Sequence, residues 1–236
     1  DEHVDLLPPA RRLFRGILPS VSLKAVESHA LGVVRGADID GAEIPQVFFD
    51  LARNGHAPRI PLVLSHNAQD IHSLALLFNF VADALHKPHA HARSLAERAA
   101  LARWLLAIGR LDDGIRLLET TITECPRRDP QRPGWQWLLG VTLRRAQRAA
   151  ESVPIWEELR RQPHRWGFTA AVELAKLHEH HFKNPADALR VLEERRRVEL
   201  LNGELGALRR ISSAAQEESL LALAHREARL RRKAAR

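Results

Sequence analysis

Three similar segments in the second half of the chain constrain its fold most strongly. They are LARWLLAIGRLDDGIRLLE from Leu101, VTLRRAQRAAESVPIWEEL from Val141 and LAKLHEHHFKNPADALRVLEE from Leu174. When Gly114, Ser152 and Ala188 are set equivalent, the segments lie 38 and 36 residues apart, a period typical of paired-helix repeats. Each predicted hairpin has one apolar stripe that it cannot bury alone. Stacked helical hairpins, each with a small residue at the helix crossing, are therefore expected.

The first half has a different pattern, in which short elements are separated by proline and glycine. Pro8 and Pro9 predict a helix that runs through residues 10–14, because proline fits the first helical turn. The segment IPQVFFDLARNG predicts a second helix, which Gly55 ends. Only VDLL at residues 4–7 and VLS near Leu64 suggest strands, and both are too short to form a sheet alone.

A third helix is expected to begin near Ser65. Apolar residues recur after it at spacings of three and four, a pattern that predicts one buried helix face. The residues of this face are Ile71, Leu74, Leu77, Phe78 and Val81.

The polar segment HKPHAHAR at residues 86–93 separates the two patterns, and it predicts a domain boundary between residues 1–87 and 88–236. Charge changes at the same place. Residues 1–87 hold 8 Lys and Arg against 10 Asp and Glu, whereas the remainder holds 28 against 19. A pI near 10.6 permits attraction to a polyanion such as nucleic acid, although an arginine-rich composition has other origins.

Composition excludes several classes of protein. Apolar residues make up 45% and charged residues 28%, as in globular domains. The single cysteine, Cys125, excludes an internal disulfide, and a cytoplasmic location is expected. The longest apolar run, SLALLFNFVA, is shorter than the roughly 20 residues of a membrane helix. Because the chain contains no methionine and opens on DEHVDLL, we expect it to be a fragment of a longer protein.

Four signatures in the first half occur in a specific order: HVDLLPPARRLF, SLKAVESHALGVVR, DIDGAEIPQVFFDLARNG and SHNAQDIHSLALL. This succession resembles the C-terminal half of the YprB-like ribonuclease H-like domain, a branch of the DEDD 3'-5' exonuclease superfamily. The stretch ELAKLHEHHFKNPADAL resembles the tetratricopeptide-like region that follows this domain. The expected fold is mainly α: the C-terminal part of a ribonuclease H-like α/β domain with an incomplete sheet, then a tetratricopeptide-like α-hairpin repeat domain.

The resemblance implies a nuclease in which four carboxylates hold two divalent cations, Mg²⁺ or Mn²⁺. Asp70 matches the last carboxylate, and His66, one turn before it, matches the residue that orients the attacking water. An i, i+4 pair projects from one helix face, so the two can converge. The spacing is that of the tyrosine version of the motif, with histidine in its place. A structural alternative for Asp70 is an aspartate in the first turn of its helix.

The resemblance also places the other carboxylate motifs upstream of Asp1. We therefore expect the chain alone to be inactive, even if its parent is a DEDD-type exonuclease. The alternative is a non-enzymatic module in which the helical repeat binds a protein partner. The residues alone, without the resemblance, favour that alternative.

Other residues with reactive or ligating side chains have weaker patterns. The run His178, Glu179, His180 and His181 is not HExxH, because Phe182 stands where the second histidine would be, and a structural or solvent-facing role is favoured. Histidines in the linker and Cys125 lack a recognisable site. The five tryptophans favour core packing over base stacking, and the basic runs at 160–161, 195–197 and 229–233 favour either phosphate contact or solvated faces.

Overall fold

The computed structural model describes residues 4–91, 93–162, 165–208 and 214–234, and this part of the chain is mainly helical, as predicted. It contains no strand, only an isolated bridge between Arg15 and Leu18. Its helices are α1 (Leu7–Phe14), α2 (Leu23–Val26), α3 (Ile44–Asn54), α4 (Ile60–His86), α5 (Pro88–His91), α6 (Leu95–Ala107), α7 (Leu111–Glu124), α8 (Arg132–Arg145), α9 (Val153–Leu159), α10 (Arg165–Lys176), α11 (Pro185–Leu208) and α12 (Ala214–Ala234).

Short helical turns of other types join these elements. Gly41–Glu43 and Ala149–Ser152 form 3₁₀ turns before α3 and α9. Glu27–Leu31 and Leu177–His181 are π-helical turns that continue α2 and α10. Within the described ranges, no helix is both long enough and apolar enough to cross a membrane.

The chain divides into two compact units, Asp1–Leu117 and Leu118–Arg236. The sequence placed a domain boundary between residues 87 and 88 instead. The boundary between 87 and 88 separates the ribonuclease H-like pattern from the helical-repeat pattern, whereas the two units are defined by their internal packing. The boundary therefore stays a prediction.

The start of the chain shows why VDLL does not form a strand. Pro8 and Pro9 occupy the first turn of α1, as predicted, and the Asp5 carboxylate accepts a hydrogen bond of 2.9 Å from the backbone N–H of Leu7. This local bond and the fixed φ of proline favour helix over extended chain. The strand prediction for residues 4–7 is wrong. α1 then buries Leu13 and Phe14.

The two following helices test the proline and glycine signals further. α3 has Pro45 in its first turn and ends at Gly55, whose φ of 64° is left-handed, as the sequence predicted. α4 begins at Ile60 with Pro61 in its first turn, one turn earlier than the predicted start at Ser65. Residues 63–65 lie inside this helix, so the strand predicted for VLS is also wrong.

The sequence identified the buried side of α4 only in part. Leu77 and Val81 are buried at 3% and 8% exposure, but Ile71, Leu74 and Phe78 are exposed at 70%, 43% and 50%. The buried side consists instead of Val63, Ser73, Leu77, Val81 and Ala84. At 100° per residue, Ile71, Leu74 and Phe78 lie on a neighbouring arc. Periodicity identified residues that share a side of the helix but not whether a neighbour covers it.

The described part of the second unit has a large core that includes Trp156, Leu159, Leu174, Leu192 and Leu223. A Cβ at Gly140 on α8 would lie 2.5 Å from the Trp156 ring, so only glycine fits that crossing. The Trp156 indole donates a hydrogen bond of 3.0 Å to the Ser152 hydroxyl.

The residues set equivalent in the repeat alignment are all enclosed. Ser152 and Ala188 are fully buried in the second unit. Gly114 is buried in the first unit, where a Cβ would meet the Leu106 side chain at 2.5 Å. The helical hairpins thus have small residues at close contacts, while their tetratricopeptide-like character stays a prediction.

Candidate functional site

The structure brings His66 and Asp70 together on α4. Their side chains are 14% and 35% exposed, and His66 Nε2 lies 3.4 Å from Asp70 Oδ2. Since α4 begins at Ile60, Asp70 lies well inside the helix. The alternative explanation of Asp70 as a first-turn aspartate is therefore wrong.

The centre of the site is Arg35, which the sequence analysis did not single out. Its side chain is only 7% exposed and lies between three carboxylates. It makes two parallel bonds to Glu27, of 2.6 and 2.7 Å. Its Nη2 also donates to Asp70 Oδ1 at 2.5 Å, and its Nη1 donates to Asp38 Oδ2 at 3.2 Å. Arg35 thereby fixes the position of Asp70 by a charge-assisted hydrogen bond.

The π-helical turn Glu27–Leu31 places Glu27 in this cluster. Ser22 caps α2 by accepting a bond from the Ala25 N–H, and Gly32 ends the π turn with a left-handed φ of 67°. The extended segment after Gly32 then carries Arg35 back toward Glu27, whose side chain is 1% exposed. Its hydrogen bonds with Arg35 lower the pKa of Glu27 despite burial and raise the pKa of Arg35. Glu27 and Arg35 are both charged at neutral pH.

Asp38 completes the cluster by orienting His66. His66 Nδ1 lies 2.7 Å from Asp38 Oδ1. Because an ionised carboxylate only accepts, Nδ1 is the donor and Nε2 is left on the side of Asp70. The hydrogen bond with His66 lowers the pKa of Asp38, and Arg35 adds to the effect. An acid–histidine pair of this kind fixes the orientation of an imidazole.

These side chains border an open cleft of about 1080 Å³, counted with the solvent space at its mouth. The acidic residues that line it are Asp38, Asp40, Glu43 and Asp70. Lys24 and Arg35 also line it, and Glu43 forms an exposed ion pair with Arg59 at 2.5 Å. The cleft is therefore acidic on balance, with one arginine held in its wall.

The cleft does not by itself form the two-cation site that the resemblance implies. Among the described residues, no group of three or more His, Cys, Asp or Glu side chains could hold a metal ion. One oxygen of Asp70 is bonded to Arg35, and one oxygen of Asp38 is bonded to His66. A carboxylate neutralised in this way is a weaker ligand for Mg²⁺ or Mn²⁺. By themselves, the described residues do not fit that pair of cations.

The remaining sequence candidates have structural surroundings. Glu179 is 3% exposed and pairs with Arg229 and Lys233, whereas His180 and His181 are exposed. Cys125 is 4% exposed, and burial raises the pKa of its thiol, contrary to what a nucleophile requires. The tryptophans are packed as predicted, with Trp104, Trp135 and Trp156 buried and Trp137 and Trp166 half-buried against the core.

The three basic runs are largely ion-paired. Arg160 bonds to Glu157 and Glu194 at 2.7 and 2.6 Å. Arg195 is 2% exposed and donates to the carbonyls of Arg160 and Gln162. Its guanidinium therefore stabilises the turn after α9 and is not free to bind a ligand.

Comparison with known proteins agrees with the resemblance. Residues 1–82 match the family model of the RNase H superfamily. The first part of the chain is RNase H-like. The chain is also 33% identical over 198 residues to the uncharacterized protein YprB of Bacillus subtilis (strain 168), across 81% of this chain and 46% of that protein. It thus spans about half the length of this curated relative, and no solved structure gives a significant match.

The RNase H-like segment contains the whole arginine-centred cluster, from Glu27 to Asp70. Sequence reasoning found His66 and Asp70 but missed Glu27, Arg35 and Asp38. Arg35 contacts residues 8 and 35 positions away, and no local period marks such a group. The acidic run DID at residues 38–40 was the available signal for Asp38.

Proposed function

We propose that this chain carries part of the cleavage site of a 3'-5' exonuclease-like protein that processes nucleic acid. The observation that carries the proposal is the convergence of His66 and Asp70 at an open acidic cleft, inside the RNase H-like segment. Asp70 is assigned as a ligand of a divalent cation and His66 as the residue that orients water. Because the chain has a single cysteine, we place the protein in the cytoplasm.

The contacts of the site support a division of roles. Arg35 holds one oxygen of Asp70, and the other oxygen faces His66 Nε2 at 3.4 Å. Asp38 holds His66 Nδ1, so the imidazole presents Nε2 to the same space. Water bonded to His66 Nε2 would lie beside Asp70, as a hydrolytic site requires.

The chain alone is expected not to cleave nucleic acid. Hydrolysis with two cations requires several carboxylates at one place, and the described residues do not supply them. Mg²⁺ or Mn²⁺ would bind only where further carboxylates join Asp70, so this chain supplies one part of the ligand set.

The test is degradation of end-labelled single-stranded DNA and RNA with Mg²⁺ or Mn²⁺. It compares this chain with a longer form of the protein, of the length of the curated relative, and with the Asp70→Asn variant of each. We expect only the longer form to cleave, and Asp70→Asn to lower its rate by a factor on the order of 10² or more. Asp83→Asn, an exposed position on the same helix, is the matched control and should keep full activity.

A second candidate is a non-enzymatic module that binds a protein partner. The neutralisation of Asp70 by Arg35 favours it, because a structural ion pair would explain the cluster without catalysis. The same assay separates the two candidates. Failure of every form to cleave with either cation excludes the nuclease. Full activity of Asp70→Asn in the longer form excludes the assignment of Asp70 as a cation ligand.

A further inference from the structure

A groove lined by basic side chains lies on the second unit, and it includes Arg229 from the basic run at residues 229–233. Its first part has about 850 Å³ of space open to solvent. The residues that line it are Lys176, His180, Ala222, His225, Arg226 and Arg229, with no acidic side chain among those described. A second part of about 780 Å³ shares Lys176 and His180 and continues to Arg144 and His181, with Glu173 as the acidic residue of its described lining. We call the two parts together the basic groove.

The π-helical turn Leu177–His181 builds one wall of the basic groove. It ends α10 and leaves His180 and His181 exposed at the rim, while Glu179 is buried. π turns are rare, and they occur frequently at functional sites. α12 supplies the facing wall, where Arg226 and Arg229 lie within one helical turn.

Two buried carboxylates lie beneath the cations and hold them in place. Glu179 accepts bonds from Arg229 and from Lys233. Glu173, 8% exposed, accepts bonds from Arg144 and from Lys176, the latter at 2.6 Å. The acids are enclosed, whereas the side chains of Arg229 and Lys233 are 45% and 52% exposed. The surface of the groove is therefore positive.

Arg226 adds a positive charge that no acid among the described residues neutralises, and His225 lies beside it. Within the described part of the chain, neither forms an ion pair, although neighbouring Arg231 pairs with Glu193 at 2.8 Å. A cation without a partner at the wall of a concave site has donors free for a ligand.

We propose that the basic groove binds the phosphate backbone of a nucleic acid strand. The combination of arginine and lysine donors suits phosphate oxygens. The described lining contains no Phe, Tyr or Trp, and its rings are those of His180, His181 and His225. Binding mainly through the backbone, independent of sequence, is therefore expected. It also contains no large exposed apolar side chain that could insert into a lipid bilayer. This site does not depend on the cleavage proposed above, because it uses none of the same residues.

The test is fluorescence anisotropy of the chain with a labelled single-stranded oligonucleotide of 20 nucleotides, in EDTA so that no cleavage can occur. We expect the affinity to fall as salt rises, with similar values for DNA and RNA of unrelated sequences. Arg226→Gln, which breaks no ion pair, should weaken binding about three- to tenfold and reduce the slope of log K against log salt by about 1.

Arg197→Gln is the matched control, because it removes one exposed positive charge outside the basic groove. It should change the affinity less than about twofold. Equal weakening by both variants would show attraction to net charge and overturn the assignment to the groove. So would absence of binding at low salt, or binding to phosphatidylserine vesicles that the oligonucleotide does not displace. Asp70→Asn should bind normally, which separates this result from the fate of the cleavage proposal.

Discussion

The two candidate sites share one structural feature, a buried glutamate on a π-helical turn, but they differ in the exposure of the basic side chains that pair with it. Each contains a π-helical turn that buries a glutamate, Glu27 in the first unit and Glu179 in the second. The cation of Glu27 is itself enclosed, since the Arg35 side chain is 7% exposed. The cations of Glu179 are about half exposed. Where the basic side chain that pairs with the buried glutamate is buried too, the ion pair is closed to solvent. Where the basic side chains reach water, they form a positive surface.

This difference separates positioning from binding. In the first unit every charged side chain of the cluster is oriented by another, so Asp70 and His66 are fixed in place. In the second unit Arg229 and Lys233 keep exposed N–H groups that a phosphate can use. Both glutamates are buried, so the two sites differ in the burial of the basic side chains that pair with them.

The largest expected effect is that of Arg35→Met, which leaves Glu27 buried and uncompensated. Removing one partner of a buried ion pair costs about 3–5 kcal/mol, and we expect a loss of this size in the free energy of unfolding by urea. Arg59→Met is the control, because the exposed pair of Arg59 with Glu43 should contribute less than about 1 kcal/mol.

The matched change in the second unit is Glu179→Gln, expected to cost less, about 1–2 kcal/mol, because Arg229 and Lys233 can rehydrate. A double variant, Glu27→Leu with Arg35→Met, should recover part of the stability that Arg35→Met loses. Equal losses from Arg35→Met and Arg59→Met would contradict the closed network.

The sequence predicted those features that depend on local geometry. Pro8 and Pro9 gave the start of α1, Gly55 the end of α3, and the i, i+4 spacing the convergence of His66 and Asp70. Each is decided within about one helical turn. The first-turn Pro61 was a comparable signal for the true start of α4, but the predicted start at Ser65 overlooked it.

The features it could not predict depend on what lies across the fold. Ile71 and Leu77 belong to one apolar pattern, yet one is 70% exposed and the other 3%. Arg35 meets Asp70 through a turn and an extended segment without periodicity. The π turns have no sequence pattern in this chain that separates them from ordinary helix. Contacts between distant segments therefore decided both the site and its burial.

A smaller expected effect is a loss of stability in acid. Glu27, Asp38 and Glu179 have folded pKa values below their ordinary values of 4.5, 3.8 and 4.5. For Glu179, burial opposes this shift, but Lys233, Arg229 and His180 outweigh it. Groups with lowered pKa values stabilise the fold above their unfolded values, and this stability is lost as pH falls through the folded values.

We therefore expect urea midpoints that are nearly constant from pH 7 to 5 and that fall below about pH 4.5. Circular dichroism reports both units. In Arg35→Met, Glu27 is buried without a cation, so its pKa should rise and the decline with falling pH should become shallower. If the urea midpoint of Arg35→Met fell with pH as in the unmodified chain, Glu27 would not contribute to the loss of stability in acid. Glu179 in the second unit would then account for most of that loss.

The smallest expected effect concerns the uncovered side of α4. Ile71→Gln should change the free energy of unfolding by no more than about 0.5 kcal/mol, because Ile71 is already in water. Leu77→Ala on the buried side of the same helix is the comparison and should cost about 2–5 kcal/mol. A cost above about 1.5 kcal/mol for Ile71→Gln would show that this side is covered in solution. Sedimentation of both variants would then tell whether a second copy covers it, because only Ile71→Gln would weaken such an association.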